Sequence, residues 1–421
     1  LNNSTNNSRD WKFILHAGLA AFITYTAMYG YRKGFTAAGY ENLSLWGLEY
    51  KSILVITQVL GYALSKFIGI RFISGMKSDN RIRNILLLIG ISQAALILFA
   101  VTPYPWNFIW LFFNGLPLGL IWGLVFSYLE GRKYTEILGA ILATSFIVAS
   151  GLVKSTGTWV LDIPGISQFQ MPCIVGFIFA LPLAAGTFFL KKIPLPTDED
   201  KASRTERVPM TALDRKEILK NFGTGLFLII TAYIFLSILR DFRDNFIVDI
   251  WKKLGYTRMK ELLTTAELPI ALICLLLLGI MYRITDNYQA FRLNLRMVGV
   301  GSLLLLISTL FFMFNLLDPL VWMILSGLGI YIGYIVYNTI LFERFIAAFR
   351  VWGNIGFLFY IADASGYIGS VAVILLKNVA PGEMDYLSFY QTMSLVLSLM
   401  ILLLLWISVY YFGKKHKSFQ S

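Results

Sequence analysis

The sequence predicts an all-α membrane protein, with twelve transmembrane helices in two six-helix bundles related by a pseudo-twofold axis. Three observations lead there. Of its 421 residues, 57% are hydrophobic, 15% aromatic and only 14% charged, against about 25% charged in an average soluble domain. The apolar residues come in runs of about twenty, enough to cross a hydrocarbon core ~30 Å thick. The second half of the chain then repeats the polar landmarks of the first.

The polar start, "LNNSTNNSRDWK", shows no cleavable signal peptide, and the first apolar run is long enough to span. Span 1 is expected over 12–38 and carries Tyr25, Tyr29, Arg32 and Thr36. Span 2, over 50–74, carries Lys51, Gln58, Tyr62 and Lys66. Spans 3 and 4 are expected over 84–103 and 107–129. Span 5 covers 135–157 after the polar "EGRKY", and span 6 covers 172–190. The longest polar stretch follows over 191–221, with eight basic residues, six acidic residues and three prolines, and reads as a linker. Spans 7 and 8, over 222–249 and 259–281, flank "WKKLGYTRMK". Spans 9 to 12 are expected over 294–315, 319–341, 349–376 and 387–412. The domains are therefore a tail over 1–11, a bundle over 12–190, the linker, a bundle over 222–412 and a tail over 413–421.

The formal net charge of +12 raises the question of nucleic acid. Its distribution answers it. Most Lys and Arg fall in alternate polar segments, eight of them in 191–221. By the positive-inside rule those segments and both termini face the cytoplasm of a cell's inner (plasma) membrane. The basicity is topological, and nucleic acid is excluded as a partner. The two cysteines, Cys173 and Cys274, lie in apolar runs without metal or disulfide spacing, and His16 and His416 have no metal partner in sequence. No metal, no cofactor and no enzyme activity is expected: there is no Ser-His-Asp set and no glycine-rich phosphate loop.

The halves match feature by feature. Tyr25, Tyr29, Arg32 and Thr36 pair with Tyr233, Ser237, Arg240 and Asp244 at an offset of 208. Lys51 and Gln58 pair with Lys260 and Glu267 at 209, and Asp79 pairs with Asp286 at 207. Gly119 and Gly123 pair with Gly329 and Gly333 at 210. Parallel repeats of this kind place a binding site near the bilayer midplane.

A cation in a span costs about 2.5–3.5 kcal/mol at the bilayer centre on insertion scales, and persists where it meets a cavity, a partner or a ligand. Residues four or seven apart share a helix face. Tyr25, Tyr29, Arg32 and Thr36 thus form one polar stripe, Lys51, Gln58, Tyr62 and Lys66 a second, and Tyr233, Ser237, Arg240 and Asp244 a third. Tyr331, Tyr334 and Asn338 form a weaker one on span 10. The plain alternative is snorkelling at the outer interface, and it is the preferred reading for Lys51, Lys154 and Lys260. Lys33 is likewise read as an anchor. Two arginines facing a common cavity suit a multi-oxygen anion such as phosphate, because each offers a planar fork of donors.

The loop "GMKSDNRIR" after span 2 resembles that of the major facilitator superfamily, with Gly75, Asp79, Arg81 and Arg83 matching its conformational motif and Asp286 as the repeat counterpart. "YRKGF", "GYALSKFIGIRFISGMKSD" and "ADASGYIGS" further resemble segments of the organophosphate:phosphate antiporters, the last through Asp363, Gly366 and Gly369. The resemblance implies that Arg32 and Arg240 bind a phosphate group with Lys66 in support. The polar stripes themselves, not the resemblance, add Tyr25, Tyr29, Gln58, Tyr62, Tyr233, Tyr334 and Asn338 as candidate substrate-site residues. The chain differs on span 5, where the family's histidine is replaced within "ATSFIVASG", and after Arg240, where "DFRDNF" stands. Asp241, Asp244, Glu267 and Asp363 therefore enter as coupling or charge-balancing groups.

Three functions follow as expectations. The first is a secondary transporter of an anionic, phosphorylated organic solute in exchange for phosphate, working as a monomer in the lipid bilayer. The second is a proton-coupled transporter of a non-phosphorylated sugar, zwitterion or organic anion. The third is a non-transporting membrane sensor.

Overall fold

The structure is a computed structural model that describes residues 2–74, 80–132, 134–195, 200, 212–256, 259–281, 284–351, 355–379 and 384–420. Gly75 and Asp79 lie outside them. The first helices are α1 (Asn2–Lys33), α2 (Tyr50–Ser74), α3 (Arg81–Val101), α4 (Phe108–Leu118), α5 (Ile121–Phe126), α6 (Thr135–Leu161) and α7 (Met171–Lys191). Then come α8 (Ala212–Lys253), α9 (Met259–Thr265), α10 (Glu267–Met281), α11 (Asn287–Met313), α12 (Pro319–Val336), α13 (Phe342–Ala348), α14 (Ile355–Val379) and α15 (Tyr386–Gln420).

Among the described residues, ten helical stretches are long and apolar enough to cross a membrane. The helices α2 and α14, each 25 residues long, complete the twelve expected spans. Large apolar side chains such as Leu181, Trp406, Phe227 and Ile368 point outward, each more than 65% exposed, as lipid contact requires. Spans 4 and 8 are each built from two helices, α4 with α5 and α9 with α10. Span 10 passes through a π-helical turn, Tyr337–Leu341, between α12 and α13. A two-stranded hairpin, β1 (Ser44–Leu45) and β2 (Leu48–Glu49), closes the loop before α2 with Ser44 opposite Glu49. Both elements were invisible to apolar periodicity.

The chain forms two compact units. One is Leu1–Arg204 with Trp251–Ala271; the other is Thr205–Ile250 with Leu272–Ser421. In the first, α1 packs on α6 and α7, α2 and α3 pack on α4, and α9 packs on α6. In the second, α11 packs on α12 and α15.

Small residues set these distances, as expected where no water drives helices together. A Cβ built on Gly301 would lie 2.5 Å from the Gly329 carbonyl oxygen, and one on Gly329 would lie 2.6 Å from the Gly301 carbonyl oxygen. The backbones of α11 and α12 therefore touch. Gly61 and Gly115 do the same for α2 and α4, against the carbonyls of Phe112 and Gln58.

Candidate functional site

The first polar core is built at the end of α1. A helix leaves its last four carbonyls without intrahelical partners, and side chains from neighbouring elements supply them here. Asn114 Nδ2 donates to the Tyr31 carbonyl at 3.1 Å, and Gln58 Nε2 donates to the Arg32 carbonyl at 2.6 Å. The Thr36 hydroxyl donates to the Lys33 carbonyl at 2.8 Å, and Lys51 Nζ donates to the Thr36 carbonyl at 2.9 Å. Gln58 and Asn114 are themselves joined at 2.7 Å, and Asn114 reaches Ser92 Oγ at 2.6 Å. The backbone that carries Arg32 is thereby fixed to α2, and its neighbour Tyr31 to α4 and α3.

On this frame the Arg32 guanidinium lies over the Tyr62 ring at 3.7 Å and over the Tyr29 ring at 5.7 Å. Lys66 Nζ lies 5.1 Å from the same Tyr62 ring. One tyrosine is therefore flanked by two buried cations, and cation–ring attraction helps to hold both side chains. Tyr25 extends the set through Tyr29 at 5.8 Å and Trp122 at 5.0 Å between ring centres. Arg32, Tyr25, Tyr29, Tyr62 and Lys66 are all buried. Gln58 is adjacent, but its amide nitrogen is engaged by the framework.

The expected outer anchors are placed differently. Lys33, Lys51 and Lys154 are no more than 2% exposed, and Lys154 Nζ donates to Ser150 Oγ at 2.6 Å. Only Lys260 sits at the surface, where it pairs with Asp162 rather than with Glu267 on its own face. Glu267 is fully buried at the start of α10.

The second polar core centres on α8. The Arg240 guanidinium forms an ion pair with Asp241 at 3.0 Å and covers the Tyr334 ring at 4.4 Å. Asp241 also accepts the Ser370 hydroxyl at 2.7 Å. Tyr334 stacks on Tyr233 at 5.6 Å, and the Tyr233 hydroxyl donates to Asp363 at 3.3 Å. Asn338, in the π-helical turn, donates to the Tyr334 carbonyl at 2.7 Å and to the Tyr233 hydroxyl at 3.5 Å. Such turns recur at functional sites. Asp244 is buried one turn beyond Arg240, and Arg243 is buried with Nη2 3.2 Å from the Met323 carbonyl.

"ADASGYIGS" explains how α14 reaches α8. A Cβ on Gly366 would lie 2.8 Å from Ser237 Oγ, and one on Gly369 would lie 2.9 Å from Ile234 Cγ2. The two glycines allow this approach, which brings Asp363 to Tyr233 and Ser370 to Asp241. The remaining loop-motif residues are less concentrated. Arg81 donates to the Ser127 carbonyl at 3.0 Å and Arg83 is exposed. Asp286 caps α11 by accepting the Gln289 amide at 2.6 Å.

The buried charges of the spans divide unevenly. Among the described residues, the first unit buries Arg32, Lys33, Lys51, Lys66 and Lys154 against one carboxylate, Glu267. The second buries Arg240, Arg243 and Lys377 against Asp241, Asp244 and Asp363. Outside the spans, Arg132 is also buried in the first unit, 4.0 Å from Asp200. No group of three or more metal-binding side chains occurs among the described residues.

Residues 34–415 match a family described as a family of unknown function, DUF5690. No curated protein matches the sequence. Solved structures do match the fold. A bacterial homologue of the human lysosomal transporter Spinster, inward-facing and unoccupied, superposes with a TM-score of 0.61 at 12% identity, covering 96% of this chain and 98% of that one. A bacterial homologue of the human drug peptide transporters gives 0.64 at 14% identity, covering 96% and 99%. A D-xylose-proton symporter gives 0.58 at 15% identity, covering 92% and 97%. These likenesses show the twelve-helix major facilitator fold.

Proposed function

Because the chain belongs to the DUF5690 family, whose function is unknown, and has the major facilitator fold, we propose from its own residues that it is a secondary transporter. Its cargo is an anionic, phosphorylated organic solute, exchanged for phosphate by alternating access. The carrying observation is the placement of two buried cations, Arg32 and Lys66, on one buried tyrosine ring, that of Tyr62. Charge buried in a membrane span is costly, and a visiting anion relieves that cost. Arg32 supplies the planar fork that suits phosphate oxygens, Lys66 adds a point charge, and Tyr29 and Tyr62 hold the guanidinium in place. Arg240, the repeat counterpart of Arg32, is the proposed ligand from the second unit. Both termini are read as cytoplasmic and the membrane as the inner (plasma) membrane.

One observation favours a second reading. Asp363 accepts from Tyr233, and Asp241 is tied to Arg240 and Ser370. A carboxylate-rich second unit is also what a proton-coupled carrier of a sugar, zwitterion or organic anion would need.

Exchange in reconstituted vesicles separates the two. Vesicles preloaded with phosphate should take up labelled phosphate by counterflow at a rate unaffected by an imposed proton gradient. Uptake that requires the proton gradient and ignores internal phosphate would replace the first reading with the second.

A further inference from the structure

We infer that the groove between α11 and α15 binds one anionic phospholipid of the surrounding bilayer. Arg292, Arg296 and Lys417 take its headgroup phosphate, and Val300, Leu303 and Trp406 take its acyl chains. The site belongs to the second unit alone and does not depend on which solute the protein carries.

Three contacts fix how the two helices lie together. The Tyr288 ring stacks on His416 at 3.5 Å, and the Phe291 ring meets Phe412 at 5.0 Å. A Cβ on Gly299 would lie 4.0 Å from Leu405 Cδ1. The pairing is antiparallel, so Arg292 stands level with Phe412 and Gly413, and Arg296 about one turn deeper. The 35 residues of α15 measure about 52 Å, more than a hydrocarbon core ~30 Å thick. Its charged last turns, and the first turns of α11 beside them, pass beyond that core.

Residues three and four apart share a helix face. On α11 one such face carries Arg292, Arg296, Val300 and Leu303; on α15 another carries Lys417, Gly413, Tyr410 and Trp406. Each face borders the contact line, for Arg292 follows Phe291 and Gly413 follows Phe412. Trp406 is 74% exposed, and Tyr410 and Val300 are each 62% exposed. Arg296 and Lys417 are exposed and Arg292 is half-buried. A Cβ on Gly413 would meet nothing within 4 Å, and one on Gly299 would meet only Leu405. The groove is therefore open both at the level of the cations and below it.

One cation is already placed. The Arg292 guanidinium lies 5.8 Å from the Tyr288 ring, which stacks on His416, and His416 meets Phe349 edge-on. A cation held by ring contacts loses little freedom when an anion arrives. Asp286, the nearest acidic residue in sequence, is engaged with the Gln289 amide at the start of α11.

Charge and apolar surface in one groove select the occupant. A soluble anion meets the cations and leaves Trp406, Val300 and Leu303 uncovered. A zwitterionic lipid covers the apolar wall but brings its own ammonium beside the phosphate. An anionic phospholipid satisfies both parts, with an exposed tryptophan beside it as membrane interfaces favour. The positive-inside rule asks only for a number of cations on one side. It does not ask two helices to bring them to one open groove.

The test uses the full chain in detergent micelles at constant ionic strength. The probes are phosphatidylglycerol and phosphatidylcholine with identical brominated chains. Bromine quenches tryptophan on contact, so the part of the quenching lost in Trp406→Phe reports this groove. The wild type should reach half of that quenching at about tenfold less phosphatidylglycerol than phosphatidylcholine. Arg292→Gln and Lys417→Gln should each weaken phosphatidylglycerol about fivefold and leave phosphatidylcholine unchanged, a selectivity that misfolding cannot produce. Lys220→Gln is the control and should change neither: Lys220 is exposed on α8 at the same end of the unit, beside Asn221, whose carbonyl accepts the Tyr411 hydroxyl.

Equal affinity for the two lipids would overturn the site. A loss in Lys220→Gln as large as in Arg292→Gln would also overturn it, by showing a diffuse surface charge. Quenching that Trp406→Phe leaves unchanged would place the lipid elsewhere. Displacement of phosphatidylglycerol by soluble glycerol 1-phosphate would assign the cations to a free anion and overturn the lipid.

Discussion

Arg32 and Arg240 occupy equivalent places in the repeat, and their neighbourhoods have opposite electrostatics. The residue after Arg32 is Lys33; the residue after Arg240 is Asp241. Both are 1% exposed. The second arginine therefore meets a carboxylate at 3.0 Å, which Ser370 helps to hold. The first arginine lies over the rings of Tyr62 and Tyr29. The offset of 208 keeps the arginine and changes the residue that follows it. In the second unit the protein supplies the negative charge. In the first, Arg32 is the proposed ligand of the solute's anionic group.

The largest effect that sharpens this contrast is on stability. Asp241→Asn leaves a buried guanidinium without its carboxylate, and should cost about 3–5 kcal/mol. A fall in the thermal unfolding midpoint of the purified protein reports it. Lys33→Gln, at the matching position of the first unit, should lower that midpoint less than Asp241→Asn does. Equal destabilisation by the two would erase the contrast.

Next is transport. Arg32→Lys keeps the charge but loses the fork and the flat stacking on Tyr62. Phosphate counterflow should fall about 100-fold, near 2.7 kcal/mol, with folding intact. Normal counterflow would mean that Arg32 serves packing alone.

A smaller loss is expected where α14 meets α8. Gly366→Ala puts a methyl 2.8 Å from Ser237 Oγ, and overpacking of this kind costs about 1–3 kcal/mol. The displaced α14 also separates Asp363 from Tyr233, so transport should fall with stability. Ser237→Ala in the same chain should recover part of both, because it removes the clashing oxygen.

The smallest effect belongs to the surface. Lys260 and Asp162 are 46% and 58% exposed, and an exposed pair contributes about 0–1 kcal/mol. Lys260→Gln should shift the melting midpoint by no more than that. Its repeat counterpart Lys51 is buried against the Thr36 carbonyl, and Lys51→Gln should shift it measurably.

The spans and the repeat could be read from the sequence because both are periodic: a run of apolar residues, then the same polar residues about 208 positions later. Stripe spacing put Arg32, Lys66 and Arg240 on helix faces shared with tyrosines. What spacing could not supply was the neighbour. Lys33, Lys51 and Lys154 looked like interface anchors because they stand near span ends. The chain continues past α1 into a buried turn, and α6 covers it. The joining of Tyr233 to Asp363 spans 130 residues, and that of Ser370 to Asp241 spans 129. Only the packing of α14 on α8 creates them. Asn114, which ties α4 to both α1 and α3, did leave a trace, as a lone amide in "WLFFNGLPLG". Lys260 shares a helix face with Glu267 by spacing alone, yet Asp162 from another loop pairs with the lysine.

The proposal that Arg32 and Lys66 bind an anionic group is tested most directly by phosphate itself. The measurement is the thermal shift of the purified full chain, titrated with inorganic phosphate at constant ionic strength, beside Arg32→Lys. At 100 times the dissociation constant, phosphate should stabilise the wild type by about 2.7 kcal/mol, and at the same concentration it should do little for the variant. A wild type that phosphate fails to stabilise, or a variant stabilised as fully as the wild type, would contradict the account.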